Sequence, residues 1–209
     1  LDRGGRVVGS RPPMSAPESG TPRIGPLRNL IASIGAAIIY ALIRLFGRRV
    51  APGDAPWLMG RLGGPHIGDK PFDEYAAGRW TGWFRRLVED GRVLYTGFYT
   101  SQVIPSHTGA CVKVVFPMPN GNATVILRPE VGEGGALILD SDGAGFGNVG
   151  FYRMQRFGRG DALTVWKICS LKERFRVYVD AEGVLRCDHA IRFLGFPVLH
   201  LHYRIQRKG

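Results

Sequence analysis

From Arg92 to the C-terminus, apolar and polar residues alternate with a period of two, in short runs separated by turn-formers. The runs cover 92–100, 110–117, 122–129, 135–140, 149–156, 162–169, 172–180, 184–193 and 197–206, and each is predicted to be a strand. Between them stand Pro119-Asn120-Gly121-Asn122, Gly132-Glu133-Gly134, the glycine-rich stretch 143–150, Gly158-Arg159-Gly160-Asp161 and Ala181-Glu182-Gly183. No helical run separates these strands, so a parallel sheet is not expected. The expected fold is mainly β: an antiparallel β-barrel or sandwich, lipocalin-like in architecture.

Upstream the pattern changes. Residues 72–90 place Tyr75, Ala76, Trp80, Trp83, Phe84 and Leu87 at three- and four-residue spacings, which predicts an amphipathic helix leading into the β domain of 72–207. Residues 50–71, with their Pro and Gly, read as a linker. Residues 28–49 form a hydrophobic helix in which Asn29 to Ile43 are charge-free and Arg28 and Arg44 mark the ends. That helix has no polar stripe, so it calls for lipid or an apolar groove around it. A membrane anchor is the leading reading, against a helix buried on the domain or a cleaved signal segment. A bilayer span needs about 20 apolar residues, which this stretch reaches only if its arginines reach outward to the interface. Arg44, Arg48 and Arg49 would place the following domain on the cytoplasmic side of a single-pass protein. Residues 1–27 combine Gly, Pro, Ser and Arg without an apolar period and read as a flexible basic arm.

The last three strands can be registered on paper. Ala181-Glu182-Gly183 suits a three-residue hairpin loop with Gly183 left-handed. This sets Val179 opposite Leu185, Val177 opposite Cys187 and Phe175 opposite His189. A turn at Gly195 then sets Ile191 opposite Leu199, His189 opposite Leu201 and Cys187 opposite Tyr203, since a one-residue slip would mix the faces. One face is apolar apart from Glu173. The other carries Arg174, Arg176, Tyr178, Arg186, Asp188, Arg192, His200, His202 and Arg204, with a row of Arg176, Asp188 and His202 crossing the strands.

Charge gives this face its meaning. The 209 residues carry 28 Lys+Arg against 17 Asp+Glu, a formal charge of +11. Residues 1–50 hold 8 of the basic and 2 of the acidic side chains, so the N-terminal quarter is the more extreme. An arginine-rich face beside a hydrophobic helix attracts anionic lipid. Nucleic acid is not expected, because Tyr178 is the only aromatic on the face and no stacking platform forms.

Candidate chemistry is sparse. Asp188 opposite His202 has the orienter-and-base arrangement of acyl-transfer enzymes, but no nucleophile is assigned, and Ser170 is only a nearby strand-edge residue. Cys187 and His189 share the apolar face and read as core residues, while Cys111 and Cys169 are isolated. His200 and His202 are two ligands without a third, so no metal and no cofactor are expected. Gly145-Phe146-Gly147-Asn148-Val149-Gly150 matches a dinucleotide fingerprint literally, yet a strand-like run follows it where a helix is required. A loop at the mouth of the fold is the better reading.

The expected function is therefore non-catalytic binding of a lipid or other amphipathic anionic ligand by a membrane-apposed domain. A hydrolase using Asp188 and His202, and a scaffold docking an acidic partner on the arginine face, are the alternatives.

Overall fold

The computed structural model describes residues 26–59, 80–86, 93–158 and 160–206. The chain divides into two units, Leu1–Ile38 and Ile39–Gly209. Helix α1 (Pro26–Phe46) begins in the first and ends in the second. The larger unit is antiparallel β throughout: β1 (Arg48–Val50), β2 (Thr81–Arg86), β3 (Val93–Ile104), β4 (His107–Met118), β5 (Gly121–Val131), β6 (Leu137–Asp140), β7 (Gly150–Gln155), β8 (Leu163–Lys167), β9 (Leu171–Val179), β10 (Leu185–Phe193) and β11 (Phe196–Arg204). Every run of period two is a strand, as expected.

The amphipathic helix over 72–90 is corrected within the described residues. Thr81–Arg86 is a strand, paired with β3 from Thr81 opposite Tyr99 to Arg86 opposite Val93. Thr81 and the aromatic pair Trp83-Phe84 favour a pleated strand, Gly82 disfavours a helix, and the ladder with β3 supplies the backbone bonds. The remainder of 72–90 lies outside the described residues, apart from Trp80.

The strands form one open sheet that branches at β5. Residues Gly121–Ile126 of β5 pair with β7, and Arg128–Val131 pair with β6, while β4 runs along the opposite edge. One limb continues from β7 to β8 and β1, the other from β6 to β9, β10 and β11. Among the described residues the ladder ends at β1, β2 and β11 as an open sheet, so the mainly antiparallel β fold stands while the expected barrel closure is not seen.

Alternation along β5 feeds two cores. Val125 and Leu127 join Val114, Phe175 and Cys187, with Leu139, Val177 and Tyr203 packed beside them, so the β6–β11 limb covers one face of β4 and β5. Ile126, on the opposite face, joins Tyr152, Met154, Leu163 and Val165 under Trp57, Leu58 and Met59. Residues 50–59, within the stretch read as a linker, thus supply core side chains. Lys113, only 1% exposed, lies on this second face and donates hydrogen bonds to the carbonyls of Trp57 (2.8 Å) and Met59. Its burial pushes its pKa down to about 7.

At the end of α1, Ile43 is fully buried, Tyr40 meets the Phe157 ring edge-on, and Phe46 stacks near Trp166. Gly47 closes the helix, its N–H bonding Ile43 O at 2.9 Å; a Cβ there would strike that carbonyl and the Thr164 side chain. No helix among the described residues is long and apolar enough to cross a membrane. The spanning helix expected over 28–49 is accordingly not supported: its charge-free stretch of 15 residues falls short of the roughly 20 a span requires. Ile34, Ile38, Ile39 and Leu45 remain exposed along it.

Candidate functional site

The register of β9, β10 and β11 is the one read from the alternation. Val179, Val177 and Phe175 stand opposite Leu185, Cys187 and His189, and Cys187, His189 and Ile191 opposite Tyr203, Leu201 and Leu199. Local chemistry fixes both turns. Asp180 organises the first, its carboxylate accepting from the N–H groups of Glu182 (3.0 Å) and Val184 (2.8 Å), with Gly183 left-handed at φ 78°. The second is a two-residue turn, Leu194-Gly195, with φ of 51° and 85°. Such turns match the twist of the strands but favour Asn and Gly; a bulky residue in the left-handed region costs about 1–2 kcal/mol.

The row Arg176, Asp188, His202 exists. His202 Nδ1 lies 2.5 Å from Asp188 Oδ1, and Arg176 Nη1 lies 4.0 Å from Asp188 Oδ2. Arg176 also covers the Tyr178 ring at 4.1 Å. The face around them is open to solvent, with Arg174, Arg192, His200, His202 and Arg204 all exposed or half-exposed.

Asp188 is not the only carboxylate there. Arg174 pairs with Asp140 of β6 at 3.1 Å, Lys172 with Asp142 at 2.7 Å, and Arg186 with Asp180 at 2.7 Å. The bond to Arg186, then the Val184 N–H, hold Asp180 below the ordinary carboxylate range. Three carboxylates outside the expected row thus quench much of the positive field. Among the described residues, Arg192 and Arg204 have no carboxylate partner.

Both signs of charge meet at one end. Lys172 stands opposite Arg192, Arg174 opposite Ala190, and Asp140 opposite Arg174, and together with Asp142 and Glu173 they line a depression of about 330 Å³ that holds three cations and three carboxylates. Neither Asp188 nor His202 reaches it. Ser170 is displaced from their row by six residues of β9, about 20 Å at strand rise, so no nucleophile meets the pair.

A second titratable cluster lies on the buried face. His189 Nε2 is 2.5 Å from Glu173 Oε1, its Nδ1 is 3.4 Å from the Tyr203 hydroxyl, and its ring stacks on Phe175 at 4.0 Å. Its signal in the sequence is the one acidic residue on an otherwise apolar face. Glu173 opposite Ile191 is a diagonal neighbour of His189, and a buried carboxylate requires such a partner.

The glycine-rich loop takes a cation in place of a phosphate. Lys167 Nζ donates to the carbonyls of Gly143 (2.7 Å), Gly145 (2.6 Å) and Val149 (2.8 Å). Carbonyl oxygens converging on an ammonium repel an anion, whereas a dinucleotide loop presents N–H groups. Strand β7 begins at Gly150, where the fingerprint needs a helix. Among the described residues, no three His, Cys, Asp or Glu side chains gather as a metal site.

Against known proteins, the chain matches no protein-family model, no curated protein and no solved structure.

Proposed function

We propose that the protein binds an anionic amphipathic ligand, a lipid above all, without chemical conversion, and that the depression at the end of β9 and β10 takes its anionic head. The observation that supports this reading is one concave site lined by Lys172, Arg174 and Arg192 together with Asp140, Asp142 and Glu173, in which Lys172 and Arg174 pair with Asp142 and Asp140 while Arg192 has no ion-pair partner among the described residues and is the cation left for an anionic head. A volume of about 330 Å³ is at the small end of ligand pockets, suited to a headgroup and too small for a whole lipid. The acyl part would stay on the surface or in a bilayer. Membrane apposition, with arginines 44, 48 and 49 near the lipid, belongs to the same reading.

Titration of the full chain with dihexanoyl phosphatidylglycerol, kept monomeric in solution, tests it by calorimetry. Binding is expected for this lipid and not for dihexanoyl phosphatidylcholine, with about a tenfold loss in Arg192→Ala, as for removal of one charge-assisted contact. Equal binding of both lipids, or an unaffected Arg192→Ala variant, would overturn it. The hydrolase alternative draws on the 2.5 Å bond between His202 and Asp188, a geometry that an exposed pair of ordinary surface residues also satisfies.

A further inference from the structure

The β10–β11 hairpin ends in an apolar tip that nothing among the described residues covers. Leu194 is 66% exposed, Phe196 73%, Val198 57% and Phe193 44%. Exposed apolar side chains scattered singly need no explanation, but four within six consecutive residues at the end of a hairpin form a patch. Leu194 makes the patch more telling. It occupies a left-handed turn position that Asn or Gly adopts at lower cost, and it leaves an apolar side chain in solvent. The backbone penalty brings little packing in return among the described residues.

A cation stands directly behind the tip. Arg192 precedes Phe193 in the chain and stands opposite Lys172, whose ammonium pairs with Asp142 at 2.7 Å, so Arg192 is the cation left to back an apolar point. We propose that this hairpin end is a wedge that enters the interface of an anionic bilayer. Phe193, Leu194, Phe196 and Val198 pass below the headgroups while Arg192 remains at the phosphates. Aromatic and aliphatic residues at the boundary, with a basic residue one layer above, match the chemistry of that interface.

A second copy of the chain fits less well. Four side chains present a few hundred Å² at most, below the roughly 800 Å² per partner of a stable association. The headgroup contact rests on the function proposed above; the insertion of the apolar tip does not.

Co-sedimentation of the full chain with vesicles of equal parts phosphatidylcholine and phosphatidylglycerol provides the test. Leu194→Asn removes the apolar group while suiting the left-handed backbone, and Phe196→Ser removes the most exposed ring. Each is expected to weaken vesicle binding about tenfold or more while leaving binding of soluble dihexanoyl phosphatidylglycerol unchanged. In Phe196→Trp, the indole is expected to be quenched by lipids brominated on their acyl chains. Vesicle binding that ignores both tip variants, or a concentration-dependent dimer that these variants abolish in place of vesicle binding, would overturn the wedge. Loss of soluble-lipid binding with tip-dependent vesicle binding intact would instead remove the headgroup reading and leave the wedge standing.

Discussion

The two limbs that leave β5 are built to opposite specifications. The limb through β7 and β8 is enclosed: residues 55–59 cover its face, and the polar groups inside it have partners close at hand. There Lys113 bonds the carbonyls of Trp57 and Met59, and Arg153 bonds Asn122 O at 2.9 Å and Gln155 Oε1 at 2.8 Å. The limb through β9 to β11 packs one face only, and the packing thins outward. Phe175 and Cys187 are buried, whereas Leu199 and Phe196 are exposed. Buried side chains concentrate in the first limb, and exposed apolar and charged ones on the second.

The sharpest way to break this comparison is to truncate one leucine in each. Leu58→Ala in the enclosed limb is expected to cost about 2–5 kcal/mol, because it empties a fully buried site. Leu199→Ala on β11 is expected to cost less than about 1 kcal/mol. Urea unfolding of both variants measures the difference, and similar losses would mean that the outer strands are as essential to the fold as the core.

Lys113→Met probes the polar interior of the enclosed limb. Orphaning two buried carbonyls is expected to cost about 1–3 kcal/mol near neutral pH. The pH dependence is more specific. With the folded pKa near 7 and the ordinary value at 10.5, the unfolded chain binds more protons between those limits, so stability rises with pH across that window. The rise should be on the order of a few kcal/mol, because a tenfold difference in proton affinity between folded and unfolded chains corresponds to about 1.4 kcal/mol. Unfolding midpoints from pH 6 to 10 should climb in the parent chain relative to Lys113→Met; parallel profiles would show that the lysine keeps its ordinary affinity for protons.

The smallest effect belongs to the open limb. Asp188→Ala and His202→Ala break a half-exposed pair and are each expected to change stability by less than about 1 kcal/mol. A larger loss in thermal unfolding would mean that the polar face of β9–β11 is structural and not simply solvated.

What could be read from the chain follows the same division. The strands and the register of β9, β10 and β11 were legible because alternation and turn residues are local: Gly183 and Gly195 fix the loops, and period two does the rest. The strand at Thr81–Arg86 was not, since Trp80, Trp83, Phe84 and Leu87 satisfy a helical spacing and only the ladder with β3 decides against it. The face of the candidate site was legible, its net charge less so. Asp140 and Asp142 arrive from the β6 end and Asp180 from a turn, and only the pairing of β6 with β9 brings Asp140 to Arg174. Lys113 is the lone charge in the apolar run 110–117, but its partners lie in a stretch whose Pro and Gly suggest a tether.

The branch at β5 has a consequence for how the chain finds this arrangement. Strands β3, β4 and β5 follow one another and pair in that order, so they can form early through short loops. Both limbs then template on β5, one on its first half and one on its second. The ladder of β1 with β8 joins Arg48 to Val165 and must wait for long loop closure. A one-residue slip in β5 would therefore misalign both limbs at once, so the register of the whole sheet rests on this one strand.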